Sequence, residues 1–199
     1  SDSIQNSAFD PEELAKELDV VLEELRMNED RPERNLFKSL LGNAFAAHPY
    51  KRPTIGSVES VKSITRGDLL DTFKKWYVPN NMALVIAGDV DADSALASVK
   101  EAFKNFKKKR EPHAKRAVEP EQKELKTDVL GMDVKEARLG MAFHIPEVGD
   151  TDTFALDVLQ IVLAGGETSR LVKRIKIDEQ LVYGITAYPM SLKDPGLFF

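Results

Sequence analysis

A patternless stretch, KKKREPHAKRAVEPEQK at residues 107–123, constrains this chain more than any other feature. It is charged, carries two prolines and has apolar residues at neither helical nor strand spacing, the composition of a linker. The chain therefore reads as two units, 1–106 and 124–199, each with its own apolar surface to bury. The pattern before the linker runs helix–helix–helix–strand–helix, and the pattern after it strand–helix–helix–strand. This mixed order predicts an α+β fold of two related α/β sandwich domains, each an antiparallel sheet with helices packed on one face. Both would be incomplete in this stretch.

The helices announce themselves through caps and stripes. Asp10 precedes Pro11, and Glu13 follows three positions after the cap, which reads as a capping-box start. Leu14, Leu18, Val21, Leu22 and Leu25 then form one apolar stripe. A second helix spans about 32–47, with Leu36, Phe37, Leu40, Leu41, Ala44 and Phe45 inward, and the HPYKRPTIGS loop breaks it. Thr65 and Asp68 cap a third helix, and DADSALASVKEAFKNF makes a fourth. NMALVIAGDV, ARLGMAFHIP and LVYGITAYPM read as strands, and DTDTFALDVLQIVLAG and TSRLVKRIKIDEQ as helices. The ending GITAYPMSLKDPGLFF reads as a strand, a turn and a second strand opening at Leu197, so the expectation is an internal piece of a longer protein.

Composition removes several function classes. Lys and Arg total 28 against 33 Asp and Glu, a net charge of −5, which argues against a dedicated nucleic-acid binder. The chain has no cysteine, which excludes a disulfide framework, a Cys-ligated metal and a thiol nucleophile. No apolar run approaches the ~18 residues of a membrane span. His48, His113 and His144 do not stand at metal-ligand spacing.

Carboxylates of the first long helix carry more. Glu17 and Glu24 are two helical turns apart and fall along one border of the leucine stripe, whereas Glu23 points to solvent. Stacked carboxylates beside an apolar face favour a cation near them; on the residues alone a solvated helix edge is the simpler reading. Gly165, Gly166, Ser169 and Arg170 resemble a phosphate cradle, yet Thr168 or Ser169 as a helix cap accounts for them better.

ELDVVLEELRMNEDRPE, then HPYKRPTIGSVESVKSITRGDLLDTFKKWYVPNNMALVIAGDVD, and downstream AGGETSRLVKRIKIDEQLVYGITAYP, together resemble the pitrilysin/insulinase family of zinc peptidases. The resemblance covers nearly the whole chain except the linker. It implies that 1–106 is the C-terminal part of a zinc-binding peptidase domain and 124–199 the N-terminal part of a substrate-completing domain. It maps Glu24 onto the family's third Zn²⁺ ligand and Glu17 onto an auxiliary carboxylate. Tyr183 matches a tyrosine that holds the substrate carbonyl; Lys176 stands where the family usually has arginine, keeping the charge but losing the planar fork.

The His-x-x-Glu-His motif of that family does not occur in these residues. The resemblance thus implies a zinc metalloendopeptidase as the full-length parent, its motif upstream of Ser1, with this stretch alone inactive and not expected to bind Zn²⁺. The implied substrate is a peptide or unfolded segment, and the implied assembly a homo- or heterodimer enclosing a chamber, without nucleic acid or membrane span. The alternative is a non-catalytic structural or assembly subunit of the same fold.

Overall fold

The computed structural model describes residues 2–110 and 115–199. Its helices are α1 (Asp2–Gln5), α2 (Pro11–Glu29), α3 (Pro32–Ala44), α4 (Val58–Ser63), α5 (Arg66–Trp76), α6 (Ala92–Ala102) and α7 (Asp152–Ala164), and its strands β1 (Phe143–Ile145), β2 (Pro189–Met190) and β3 (Gly196–Phe198). The chain forms two compact units: Ser1–Asn28 with Pro53–Arg116, and Glu29–Arg52 with Ala117–Phe199. Residues 29–52, which the linker-based division places in the first half, thus cluster with the second.

In the first unit, α2 starts where expected. Asp10 Oδ1 accepts the backbone N–H groups of Glu12 (2.9 Å) and Glu13 (3.2 Å). The expected reciprocal half of that box is replaced by an ion pair, because the Glu13 carboxylate accepts from Lys16 at 2.7 Å. The stripe faces inward, with Leu25 buried and Leu14, Leu18, Val21 and Leu22 half-buried. Thr65 and Asp68 form the full reciprocal box at the start of α5, at 2.8 and 3.2 Å. The Arg66 guanidinium then donates to the carbonyls of Phe9 (2.7 Å) and Ala8 (2.8 Å), while the Phe9 ring meets Phe73 edge-on at 5.5 Å. These contacts fix how the chain enters α2. A helix not anticipated from the sequence, α4, is started by reciprocal Ser57 and Ser60 hydrogen bonds.

The strand expected in NMALVIAGDV does not form. Residues 81–90 are exposed, and among the described residues no backbone hydrogen bond links 82–87 to another segment. A strand is a property of a pair, and this unit offers the segment no neighbour.

The second unit is built on a three-stranded antiparallel sheet in the order β1-β3-β2. Phe143 lies opposite Phe198, Ile145 opposite Gly196 and Met190 opposite Leu197. Successive β3 side chains face opposite ways. Leu197 packs with Ala44 and Phe45 at the end of α3, whereas Phe198 packs with Ile145 and Ala187 beside Leu156 and Leu163 of α7. A helix thus covers each side of this central strand. Gly196 is required by close approach, since an added Cβ would lie 2.0 Å from the Met190 carbonyl oxygen.

Two expected elements change form in this unit. Of the strand expected in LVYGITAYPM, only Pro189–Met190 joins the ladder, extended by the reciprocal Tyr188–Phe199 backbone bonds at 3.2 and 3.0 Å. The helix expected in TSRLVKRIKIDEQ is π-helical over Val172–Asp178. Its wider turn brings residues five apart together. Lys173 pairs with Asp178 and Arg174 with Glu179, both at 2.8 Å, and the Glu179 N–H donates to the Arg174 carbonyl at 2.9 Å.

Candidate functional site

Glu17 and Glu24 lie on α2, both exposed, two turns apart beside the leucine stripe. Their neighbour Glu23 forms an exposed ion pair with Arg26 one turn on. Zinc at catalytic sites takes three protein ligands. Among the described residues no three His, Cys, Asp or Glu side chains come together in a way that could hold a metal. The donor set within these residues therefore does not by itself fit zinc; Glu24 is a single anionic donor.

Lys176 and Tyr183 belong to the second unit. Lys176 is exposed in the π-helical segment and forms no ion pair among the described residues, whereas Arg174 is engaged by Glu179. Tyr183 is 86% exposed on the stretch leading to β2. No hydrogen bond joins Lys176 to Tyr183 among the described residues. At the glycine-rich turn, Ser169 is buried and its hydroxyl donates to the Gly166 carbonyl. Ser169 stands directly before the helical turn that begins at Arg170, and its carbonyl accepts the Lys173 N–H at 2.8 Å, but its hydroxyl closes the preceding turn instead of capping the helix through its side chain.

The two described histidines, His48 and His144, serve packing. His144 Nε2 lies 3.0 Å from the Ala44 carbonyl, its ring edge-on to Phe45 at 5.3 Å. His48 is 4% exposed; its Nδ1 accepts the Tyr50 N–H at 3.3 Å, and its Nε2 faces Asp194 Oδ2 at 3.4 Å. Tyr50 Oη in turn accepts the Asp194 N–H at 3.2 Å. This cluster ties the HPY turn to the loop before β3. His113 lies outside the described residues.

Sequence reasoning also missed Glu119, which falls in the patternless stretch. Its carboxylate accepts three successive backbone N–H groups, from Ala46 (2.6 Å), Ala47 (2.9 Å) and His48 (2.7 Å). Partial burial opposes the charged form, but these donors, with His144 nearby, hold the carboxyl below its ordinary pKa. A depressed carboxylate stabilises the fold above its unfolded pKa, and that stability is lost as pH falls through the folded value. At neutral pH, Glu119→Gln is expected to cost about 1–2 kcal/mol, the worth of charge-assisted bonds discounted for solvent. In urea titrations of variant and wild type, that gap should be full at pH 7 and should close as the pH is lowered below the carboxylate range. A pH-independent gap would contradict this role.

Residues 63–199 match the family model described as the peptidase M16 inactive domain. Over 202 residues the chain is 31% identical to an uncharacterized zinc protease of Mycobacterium tuberculosis, covering 98% of this chain and 45% of that protein. It is 30% identical to one of Bacillus subtilis, covering 99% and 47%. In fold it matches a protease from Helicobacter pylori, with a TM-score of 0.81, 24% identity, and coverage of 96% of this chain and 47% of that one. It also matches the peptidase M16 inactive domain from Pseudomonas fluorescens, with a TM-score of 0.75, 19% identity, and coverage of 98% and 47%. The chain spans about half the length of the curated relatives it matches. It belongs to the peptidase M16 family.

Proposed function

We propose that the whole protein is a zinc-dependent metalloendopeptidase that hydrolyses peptides or unfolded segments, and that these residues contribute to its site from two places. The observation that carries this reading is the α2 edge: Glu17 and Glu24 are stacked two turns apart beside the half-buried leucine stripe, while Glu23 is paired with Arg26. Glu24 is offered as one zinc ligand and Glu17 as the carboxylate supporting it. Zinc, where the whole protein holds it, supplies Lewis-acid chemistry for attack on the scissile carbonyl. Tyr183 would donate a hydrogen bond to that carbonyl, with the Lys176 charge beside it. In this reading residues 1–106 end a zinc-binding domain, 107–123 link it, and 124–199 open a substrate-completing domain. Two subunits, alike or different, would enclose a chamber around the peptide.

A second reading, a non-catalytic assembly subunit, is favoured by lysine rather than arginine at position 176. Peptide hydrolysis by the whole protein decides between them. The endopeptidase reading expects cleavage of an unstructured peptide that a chelator abolishes and about one equivalent of Zn²⁺ per chain restores. Absence of metal-dependent cleavage by the folded, assembled protein would favour the assembly subunit.

A further inference from the structure

The first unit holds a cavity of about 600 Å³, bounded by the end of α1, the last turns of α5 and α6, and the residues that follow α6. Its size falls in the roughly 300–1,000 Å³ of small-ligand sites. Its lining combines the rings of Phe73 and Tyr77, stacked at 4.8 Å, with Lys74, Lys107 and Lys109. Lysines near a helix C-terminus commonly serve its last carbonyls. Here side-chain amides do that work: Asn81 Nδ2 donates to the Trp76 carbonyl at 3.0 Å, and Gln5 Nε2 to the Ala102 carbonyl at 3.2 Å. The carboxylate in the lining, Glu101, is taken by Lys104. Among the described residues, no hydrogen bond or ion pair engages the ammonium groups of Lys74, Lys107 and Lys109. Residues 100–110 carry six Lys or Arg against Glu101 alone, in a chain of net charge −5, so the positive field is concentrated at this cavity.

We propose that this cavity binds a short acidic segment of a peptide. Its carboxylates would meet the three ammonium groups, and an apolar side chain between them would cover the Phe73–Tyr77 rings, of which Tyr77 is 48% exposed. A small inorganic anion would leave those rings uncovered, and the net negative charge of the chain opposes a long polyanion such as nucleic acid. The proposal goes beyond the peptidase reading and does not rest on it, since a non-catalytic subunit would bind the same segment.

Fluorescence anisotropy with the whole protein tests this, read before any cleavage. The probe is a labelled peptide of alternating Glu and Phe, compared with its Gln-for-Glu counterpart. The acidic peptide is expected to bind at least ~10-fold tighter, an advantage that shrinks as salt is raised. Lys74→Gln, Lys107→Gln and Lys109→Gln together should remove most of that advantage. The same charge change at the exposed Lys38, Lys62 and Lys193, none of which lines the cavity, should leave it. Equal binding of the two peptides by the unsubstituted protein, or equal loss from both triple variants, overturns the proposal. Tighter binding of a single-stranded oligonucleotide of matched charge overturns the choice of a peptide. Binding is read directly, so absence of zinc-dependent cleavage would sink the proposed activity and leave this result standing.

Discussion

Tyr183→Phe in the whole protein is expected to lower turnover ~10²–10³-fold, the typical cost of removing one donor to a developing oxyanion, with zinc content and folding unchanged. The ring is 86% exposed and its hydroxyl has no hydrogen-bond partner among the described residues, so the substitution removes a donor and no packing. Lys176→Arg should be neutral or faster, because it restores the planar fork that the resemblance leads one to expect there. If the protein assembles as a two-halved chamber, mixing Tyr183→Phe with a variant broken at the zinc motif should recover part of the activity. Steady-state kinetics with metal analysis reads all three. Unchanged turnover for Tyr183→Phe would leave Tyr183 a surface residue.

A comparably large effect, on stability, is expected at Phe45, which is 1% exposed. Its ring meets Tyr50 at 5.6 Å, His48 at 5.9 Å and His144 at 5.3 Å, and it packs with Ala44 and Leu197. It therefore joins the end of α3, the HPY turn and two strands of the second unit. Phe45→Ala should cost about 3–5 kcal/mol, transfer and cavity terms together. Hydrogen exchange in the whole protein should show the loss across 41–50 and 196–199 together, as one cooperative unit. A loss below about 1 kcal/mol would mean that this core collapses around the gap.

What could be read from the sequence depended on how local the determining physics is. Helix starts are settled within four residues, so Asp10 and the Thr65–Asp68 pair could be read directly. The strands needed partners. LVYGITAYPM has strand composition throughout, yet among the described residues only Pro189–Met190 pairs with β3, with Tyr188 bonded to Phe199 beside it. The π-helical turn at Val172–Asp178 left a faint signal in advance, the opposite charges five apart at Lys173–Asp178 and Arg174–Glu179. Glu119 left none. Its role depends on three N–H groups some seventy residues away, and a lone glutamate between charges and prolines looks like linker. Glu17 and Glu24 could be picked out as a stacked pair from spacing alone, but spacing does not distinguish a ligand from a wet helix edge. The resemblance supplied that choice.

The choice between neighbouring carboxylates is tested most directly by zinc bound per polypeptide in the whole protein, measured for wild type, Glu23→Gln and Glu24→Gln after identical dialysis. Glu23 is an exposed partner of Arg26, so its loss should cost little. The account predicts stoichiometric zinc in wild type and Glu23→Gln, with loss of zinc and peptidase activity in folded Glu24→Gln. Zinc retained in Glu24→Gln, or lost equally from both variants, would contradict the assignment of Glu24 as the ligand.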